Sequence, residues 1–79
     1  MEFGVVCIGN YCRSPVAEAL LKDLLKLNSI DSVGINPKIS ADMHPFSREY
    51  LEIIGLNPGI HTPKKISYDF VYNTNTIFC

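Results

Sequence analysis

The feature that most limits the possible folds is a short apolar run that leads through a tight loop directly into an amphipathic segment. Residues 3–8 are rich in β-branched and aromatic side chains, and Gly9 begins the break that follows them. Ser14 then precedes Pro15, a pattern typical of an N-cap followed by the first helical position. From Val16 to Leu27, apolar residues recur near a 3.6-residue period. The pattern predicts a strand, a loop and a helix.

The remainder of the chain continues this alternation. The segment Ser32–Ile39 predicts a weaker strand, in which Pro37 favours an edge position. Ser47–Ile54 predicts a second amphipathic helix with the serine as N-cap, Ser67–Tyr72 a short helix, and Thr74–Cys79 a third strand. Alternating strands and helices predict an α/β fold, a three-layer, doubly wound parallel sheet whose ligand lies beyond the carboxyl ends of the strands.

The length of the chain limits how complete this fold is. A chain of this size buries only about 60% of the surface that it exposes when unfolded, so its core is thin. Three strands and two main helices leave part of a parallel sheet uncovered, and the chain stops at the third strand. We expect residues 1–79 to form a single, incomplete domain, truncated after the third strand, with an exposed sheet edge that can support dimerisation.

Composition excludes several classes of function. Seven Lys and Arg against eight Asp and Glu give a net charge of −1, so no basic field is present to hold nucleic acid or an anionic membrane. We find no signal-peptide pattern and no run long enough to span a membrane, which predicts a cytoplasmic protein. Three cysteines predict reduced thiols, and their spacing resembles no metal site, so we expect no metal and no cofactor.

The string CIGNYCRSP, which begins at Cys7, is the part of the chain that predicts chemistry. Arg13 follows Cys7 by six positions, just before the predicted helix. A short loop there can aim backbone N–H groups inward at an anion, the helix adds its dipole, and arginine can hold two oxygens. These positive surroundings and a hydrogen bond from Ser14 lower the pKa of the Cys7 thiol and favour a nucleophilic thiolate. We expect residues 7–14 to form a phosphate-binding loop.

Within this loop, Gly9 permits a close backbone approach, and Asn10 tolerates a left-handed conformation while its amide braces the loop. The residues expected to contact phosphate are Ile8, Gly9, Asn10, Tyr11, Cys12 and Arg13. The alternative is an ordinary core cysteine followed by a turn and a surface arginine. Tyr11 either lines the mouth of the pocket or faces solvent.

The longer string VVCIGNYCRSPVAEALL resembles the signature of the low-molecular-weight protein-tyrosine phosphatases, in the N-terminal part of their domain. The resemblance implies a phosphotyrosine phosphatase I-like fold and phosphomonoester hydrolysis through a phosphocysteine on Cys7. It implies that Arg13 binds the equatorial oxygens and that Ser14 stabilises the thiolate. It also implies that Asn10 holds the loop through a polar network with His61 and Ser40.

Substrates and regulation follow from the same resemblance. It implies a phosphotyrosine protein or a small phosphomonoester as substrate, inorganic phosphate as product or inhibitor, and a reversible redox pair of Cys7 and Cys12. The general acid of the family lies downstream of the position matched by Cys79, so we expect weak or absent turnover if 79 residues are the whole chain. The usual glycine after Ser40-Ala41 is replaced by Asp42, which departs from the family pattern.

Two other functions fit the sequence. A thioredoxin-coupled arsenate reductase shares the fold and the loop; the compact segment Ser40–Leu56 resembles that branch, and Cys79 would be one of its later thiols. Ser14 followed by Pro15 favours the phosphatase. The third possibility is a non-catalytic fragment that binds phosphate.

Overall fold

The computed structural model describes residues 1–26 and 29–79 of the chain. Its elements are β1 (Phe3–Cys7), α1 (Arg13–Leu24), β2 (Ile30–Gly34), α2 (Pro45–Ile53), α3 (Tyr68–Tyr72) and β3 (Thr76–Phe78). The predicted C-terminal end of the first helix, at Leu27, lies outside the described residues. Within residues 1–26 and 29–79, every helix falls short of the length and apolar character that a membrane span requires.

The three strands form one parallel sheet in the order β2-β1-β3, which confirms the predicted α/β fold. Phe3 of β1 pairs with Ile30 of β2 and with Thr76 of β3, and Cys7 at the far end of β1 is opposite Gly34. From β1 the chain passes through α1 to β2 on one side of β1. It then passes through α2 and α3 to β3, on the other side of β1. Right-handed connections in these two directions place helices on opposite faces of the sheet. Cys7 is the last residue of β1, so it lies at the carboxyl end of the central strand.

Among residues 1–26 and 29–79, almost as many polar as apolar side chains are buried. The buried apolar residues are Val5, Val6, Ile30, Val33, Met43 and Leu51, and the buried polar residues are Asn10, Ser14, Ser32, Ser47 and Thr74. Four of these five polar residues lie in or beside the loop that joins β1 to α1. Since buried polar groups are stable only when they are hydrogen-bonded, the loop is held by specific partners.

Two predicted N-caps are wrong, for the same reason. Helix α1 begins at Arg13, so Ser14 lies inside it, and its hydroxyl contacts the loop instead of capping the helix. Helix α2 begins at Pro45, and its cap is His44, whose Nδ1 accepts from the Phe46 N–H at 3.0 Å. Ser47 donates its hydroxyl to Cys12 O at 3.1 Å. Both serines are therefore used to hold the loop.

The strand boundaries also differ from the prediction. Strand β2 ends at Gly34, so Pro37 lies in the following loop, although β2 is an edge strand as expected. Strand β3 is limited to Thr76–Phe78. The predicted short helix is confirmed as α3, where the Ser67 hydroxyl oxygen accepts from the Phe70 N–H at 3.2 Å. Dimerisation through a sheet edge stays a prediction.

Candidate active site

The loop between β1 and α1, here called the 7–14 loop, turns the chain around the sulfur of Cys7. Asn10, at its centre, is completely buried and has a φ of 49°, in the left-handed region. Asparagine tolerates this conformation better than most residues, as the sequence predicted. The chain thus passes around one point between the end of β1 and the start of α1.

Every carbonyl group from residue 7 to residue 12 accepts a hydrogen bond from outside the loop. The donors are Ile35 N to Cys7 O (3.0 Å), Asn36 N to Ile8 O (2.8 Å), Lys38 N to Gly9 O (2.8 Å), His61 Nε2 to Asn10 O (2.8 Å), His44 N to Tyr11 O (2.9 Å) and Ser47 Oγ to Cys12 O (3.1 Å). The described residues contain no cis peptide bond. Because the N–H and C=O of a trans peptide point in opposite directions, the N–H groups of residues 8–13 face the inside of the loop.

Several donors of the loop act on the Cys7 sulfur. The Asn10 N–H donates to Sγ at 3.2 Å, and Ser14 Oγ lies 3.0 Å from Sγ. Burial raises the pKa of the Cys7 thiol, whereas hydrogen bonds from the Ser14 hydroxyl and N–H lower it. The N–H groups of Asn10 and Gly9 lower it further, so the pKa lies below the ordinary cysteine value. The loop favours a thiolate at its centre.

The side chain of Asn10 stabilises the loop through hydrogen bonds to three other residues. Its Nδ2 donates to Ser14 Oγ at 2.7 Å and to Ser32 Oγ at 3.0 Å, and its Oδ1 accepts from the Lys64 N–H at 2.9 Å. The Ser32 hydroxyl in turn donates to Glu18 Oε1 at 2.6 Å. Both polar atoms of the amide are hydrogen-bonded within the protein, so this network fixes the peptide that positions the sulfur.

The expected place of Ser40 in this network is wrong. Its hydroxyl donates to Asp42 O at 2.8 Å in a local turn, and Ser32 occupies the position beside Asn10. A Cβ atom on Gly34 would lie 2.7 Å from Ile8 O, so only glycine lets β2 approach the loop this closely. The serine and glycine that serve the loop therefore come from the Ser32-Val33-Gly34 segment.

The other predicted residues occupy different parts of the loop. Arg13 is exposed, and within the described residues its side chain has no hydrogen-bond or ion-pair partner. The Tyr11 ring packs edge-on against His44, with centroids 5.3 Å apart, and Lys38 Nζ lies 5.5 Å from the Tyr11 ring centre. Cys12 is exposed, and it and Cys7 are free thiols.

A second polar cluster, which the sequence pattern had not predicted, lies beside the loop. Arg48 donates to both carboxylate oxygens of Asp42, from Nε at 2.7 Å and from Nη2 at 2.9 Å. Asp42 Oδ1 also accepts from the His61 N–H at 3.0 Å. The hydrogen bonds from Arg48 hold the pKa of the Asp42 carboxyl well below its usual range, against a smaller opposing effect of burial. In the sequence, the only sign of this pair is that Asp42 and Arg48 carry opposite charges and stand six positions apart.

Comparisons with known proteins identify relatives for this arrangement. Residues 2–77 match the family model described as low molecular weight phosphotyrosine protein phosphatase. The low molecular weight protein-tyrosine-phosphatase Ptp of Acinetobacter johnsonii is 37% identical over 73 residues, which are 92% of this chain and 51% of that protein. The chain spans about half the length of the curated relatives that it matches most fully.

Two solved structures show the fold and its variety of functions. The tyrosine phosphatase AmsI of Erwinia amylovora superimposes with a TM-score of 0.88 at 29% identity, covering 96% of this chain and 50% of that one. A thioredoxin-dependent arsenate reductase of Corynebacterium glutamicum superimposes with a TM-score of 0.85 at 26% identity, covering 96% and 38%.

Proposed function

Because the chain belongs to the low-molecular-weight phosphotyrosine protein phosphatase family, we propose that it supplies the phosphate-binding loop and the nucleophile for phosphomonoester hydrolysis. The observation that carries the proposal is the ring of six carbonyls that bond to donors outside the loop, because trans peptide geometry then turns the N–H groups of residues 8–13 toward its interior, where the Asn10 N–H donates to Cys7 Sγ. Such a ring is complementary to a tetrahedral dianion. The loop of residues 7–14 is thus proposed as the phosphate site.

The proposed reaction has two steps. The Cys7 thiolate attacks phosphorus while the bond to the leaving oxygen breaks, which forms a phosphocysteine. Water then attacks the phosphorus, the sulfur leaves as thiolate, and inorganic phosphate is released. The backbone N–H groups and the Arg13 guanidinium stabilise the equatorial oxygens, and the Ser14 hydroxyl donates to the sulfur when it is negatively charged.

Proton supply to the leaving group limits this reaction in the chain as it stands. Three carboxylates near the loop are already engaged: Glu18 accepts from Ser32, while Asp42 and Asp31 pair with Arg48 and Lys64. General acid catalysis is worth about 10²–10⁴-fold. We therefore expect slow turnover that is fastest for phosphotyrosine or small aryl phosphates, whose leaving groups need least protonation, while binding of the anion does not depend on this proton.

A second candidate reaction is arsenate reduction, which the similarity to the Corynebacterium glutamicum enzyme favours. The same loop would bind arsenate, and two thiols would be oxidised to a disulfide as arsenic(V) is reduced to arsenic(III). In this structure Cys12 is exposed on the loop, and Cys79 is exposed at the end of the chain. The reduced state that either reaction requires fits a cytoplasmic location, which we also propose.

The test is alkylation of the thiols by iodoacetamide as a function of pH, with and without inorganic phosphate. We expect one thiol to react rapidly below neutral pH and to be protected by phosphate. This rapid reaction should be absent in Cys7→Ser. Cys79→Ser is the matched control and leaves this reactivity unchanged. If Cys7 is no more acidic than Cys79, or if phosphate does not protect it, the proposal is wrong.

Hydrolysis of p-nitrophenyl phosphate separates the alternatives once the acidic thiol is established. Slow release of p-nitrophenol that disappears in Cys7→Ser supports the phosphatase. Thiol-dependent arsenate reduction that needs Cys12 or Cys79, without p-nitrophenol release, favours the reductase. Phosphate protection with neither reaction identifies a phosphate-binding protein.

A further inference from the structure

The guanidinium of Arg48 joins three separate segments of the chain. It makes two bonds to Asp42, and it also donates from Nη1 to Pro58 O at 3.2 Å and from Nη2 to Gly59 O at 3.1 Å. Four bonds to fixed acceptors distinguish this pair from the usual surface ion pair, which contributes little. The Arg48 and Asp42 side chains are only 26% and 33% exposed. The pair thus links the start of α2 to the segments on either side.

From this pair, a chain of contacts leads to the 7–14 loop. Asp42 Oδ1 accepts from the His61 N–H at 3.0 Å, and the His61 ring bonds Asn10 O at 2.8 Å. A carbonyl can only accept, so His61 Nε2 carries the proton that it donates. Asn10 O and the Tyr11 N–H belong to one peptide group, so His61 determines that this N–H faces inward.

The Arg48 and Asp42 pair also supports the two peptide groups that follow, whose carbonyls belong to Tyr11 and Cys12. Arg48 lies in the first turn of α2, and its N–H donates to His44 O at 3.1 Å. His44 N and Ser47 Oγ at this helix start hold Tyr11 O and Cys12 O. The segments joined by Arg48 and Asp42 therefore supply three of the six outside donors of the loop.

We propose that Asp42 and Arg48 are a positioning pair for the anion site: they hold the three supports that turn the N–H groups of residues 11–13 toward the Cys7 sulfur. This proposal rests on the proposed function of the loop. Neither side chain contacts the sulfur, and the pair acts through the position of His61 and of the start of α2. Loosening it lets these peptide groups rotate away, which weakens the binding of a dianion without removing any group that contacts it.

The experiment measures two properties of the folded 79-residue chain, protection of Cys7 from iodoacetamide by inorganic phosphate and the pH midpoint of alkylation. Arg48→Lys keeps the positive charge and loses most of the four bonds. Asp42→Asn keeps an oxygen for the His61 N–H and loses the charge. We expect either variant to need roughly three- to thirtyfold more phosphate for half protection. The alkylation midpoint moves to higher pH.

Glu49→Gln is the matched control, because Glu49 is an exposed acid on the same helix, and we expect it to behave as the wild type. Circular dichroism identifies which variants are folded. A folded Arg48→Lys or Asp42→Asn with wild-type protection and a wild-type midpoint overturns the proposal. If both variants are unfolded, the pair is structural and the proposal is also wrong. If the wild-type Cys7 shows no phosphate protection, the proposed function itself has failed.

Discussion

Asn10 donates its side-chain amide to the Ser14 hydroxyl oxygen at 2.7 Å, and this bond sets the direction in which Ser14 can donate its own proton. With the oxygen occupied by Asn10, the hydroxyl proton is available to Cys7 Sγ, 3.0 Å away. An asparagine at the bottom of the loop therefore orients a serine that stabilises the sulfur as an anion.

The first prediction concerns this serine. Ser14→Ala removes the largest single effect that lowers the Cys7 thiol pKa, so that pKa rises toward the ordinary cysteine value. The thiolate fraction between pH 6 and pH 7 then falls, and the rate of alkylation in that range falls by about tenfold. The rate is measured by mass spectrometry, with Ser29→Ala as a surface control. An unchanged rate would show that Ser14 does not act on the sulfur.

A pair of serine variants tests which serine supports Asn10. Ser32→Ala deprives the buried Asn10 amide of one acceptor and the Glu18 carboxylate of its donor, at a cost of about 1–3 kcal/mol in the free energy of unfolding. Ser40→Ala removes only two local turn bonds, both to the Asp42 backbone, and costs less than about 1 kcal/mol. Urea unfolding gives both values. Equal losses, or a larger loss for Ser40→Ala, would contradict the assignment of Ser32 to the network.

A third prediction concerns the contact between β2 and the loop. Gly34→Ala places a methyl group 2.7 Å from Ile8 O and 2.9 Å from Asn10 N, so the strand and the loop must separate. We expect a loss of about 1–3 kcal/mol in the free energy of unfolding and weaker phosphate protection of Cys7. Gly59→Ala is the control, because a Cβ atom there meets nothing within 4 Å. Similar behaviour of the two variants would contradict the close approach.

The fourth prediction is a loss of stability in acid that depends on Asp42. The pKa of this carboxyl is lower in the folded state than in the unfolded state, so its contribution to stability is fully present above the unfolded pKa of about 4. The contribution falls as the pH drops from there toward the folded pKa. Asp42→Asn should flatten the decrease of the unfolding free energy between about pH 4 and pH 2. A decrease as steep as in the wild type would show that other carboxyl groups cause it.

Local sequence patterns were sufficient to predict the strand, the loop and the helix that surround Cys7, because their signals lie within about twenty consecutive residues. They also indicated that Asn10 can tolerate the left-handed conformation that the structure shows there, and they predicted the alternating order of strands and helices. The two N-caps were wrong because Ser14 and Ser47 have stronger tertiary partners than the helix ends that they flank. A cap preference is a local tendency, and a buried hydrogen bond overrides it.

The supports of the loop could not be predicted in the same way. Ser32 and Gly34 were overlooked and Ser40 was chosen instead, since the register of β2 against β1 decides which serine faces Asn10. A shift of a few residues along one strand cannot be read from composition. Ser32 is nevertheless one of two polar residues, with Asp31, between the apolar Ile30 and Val33, which was a weak signal that a polar side chain faces the interior here.

The outside donors to the loop come from residues 35–61, none of which belongs to the segment that contains the motif. A synthetic peptide that reproduces residues 3–24 would thus carry the cysteine, the arginine and the serine in their native spacing. Its peptide groups would turn freely toward water. The signature supplies the reactive side chains. The capacity to enclose an oxyanion comes from distant chain segments that hold its peptide groups in place.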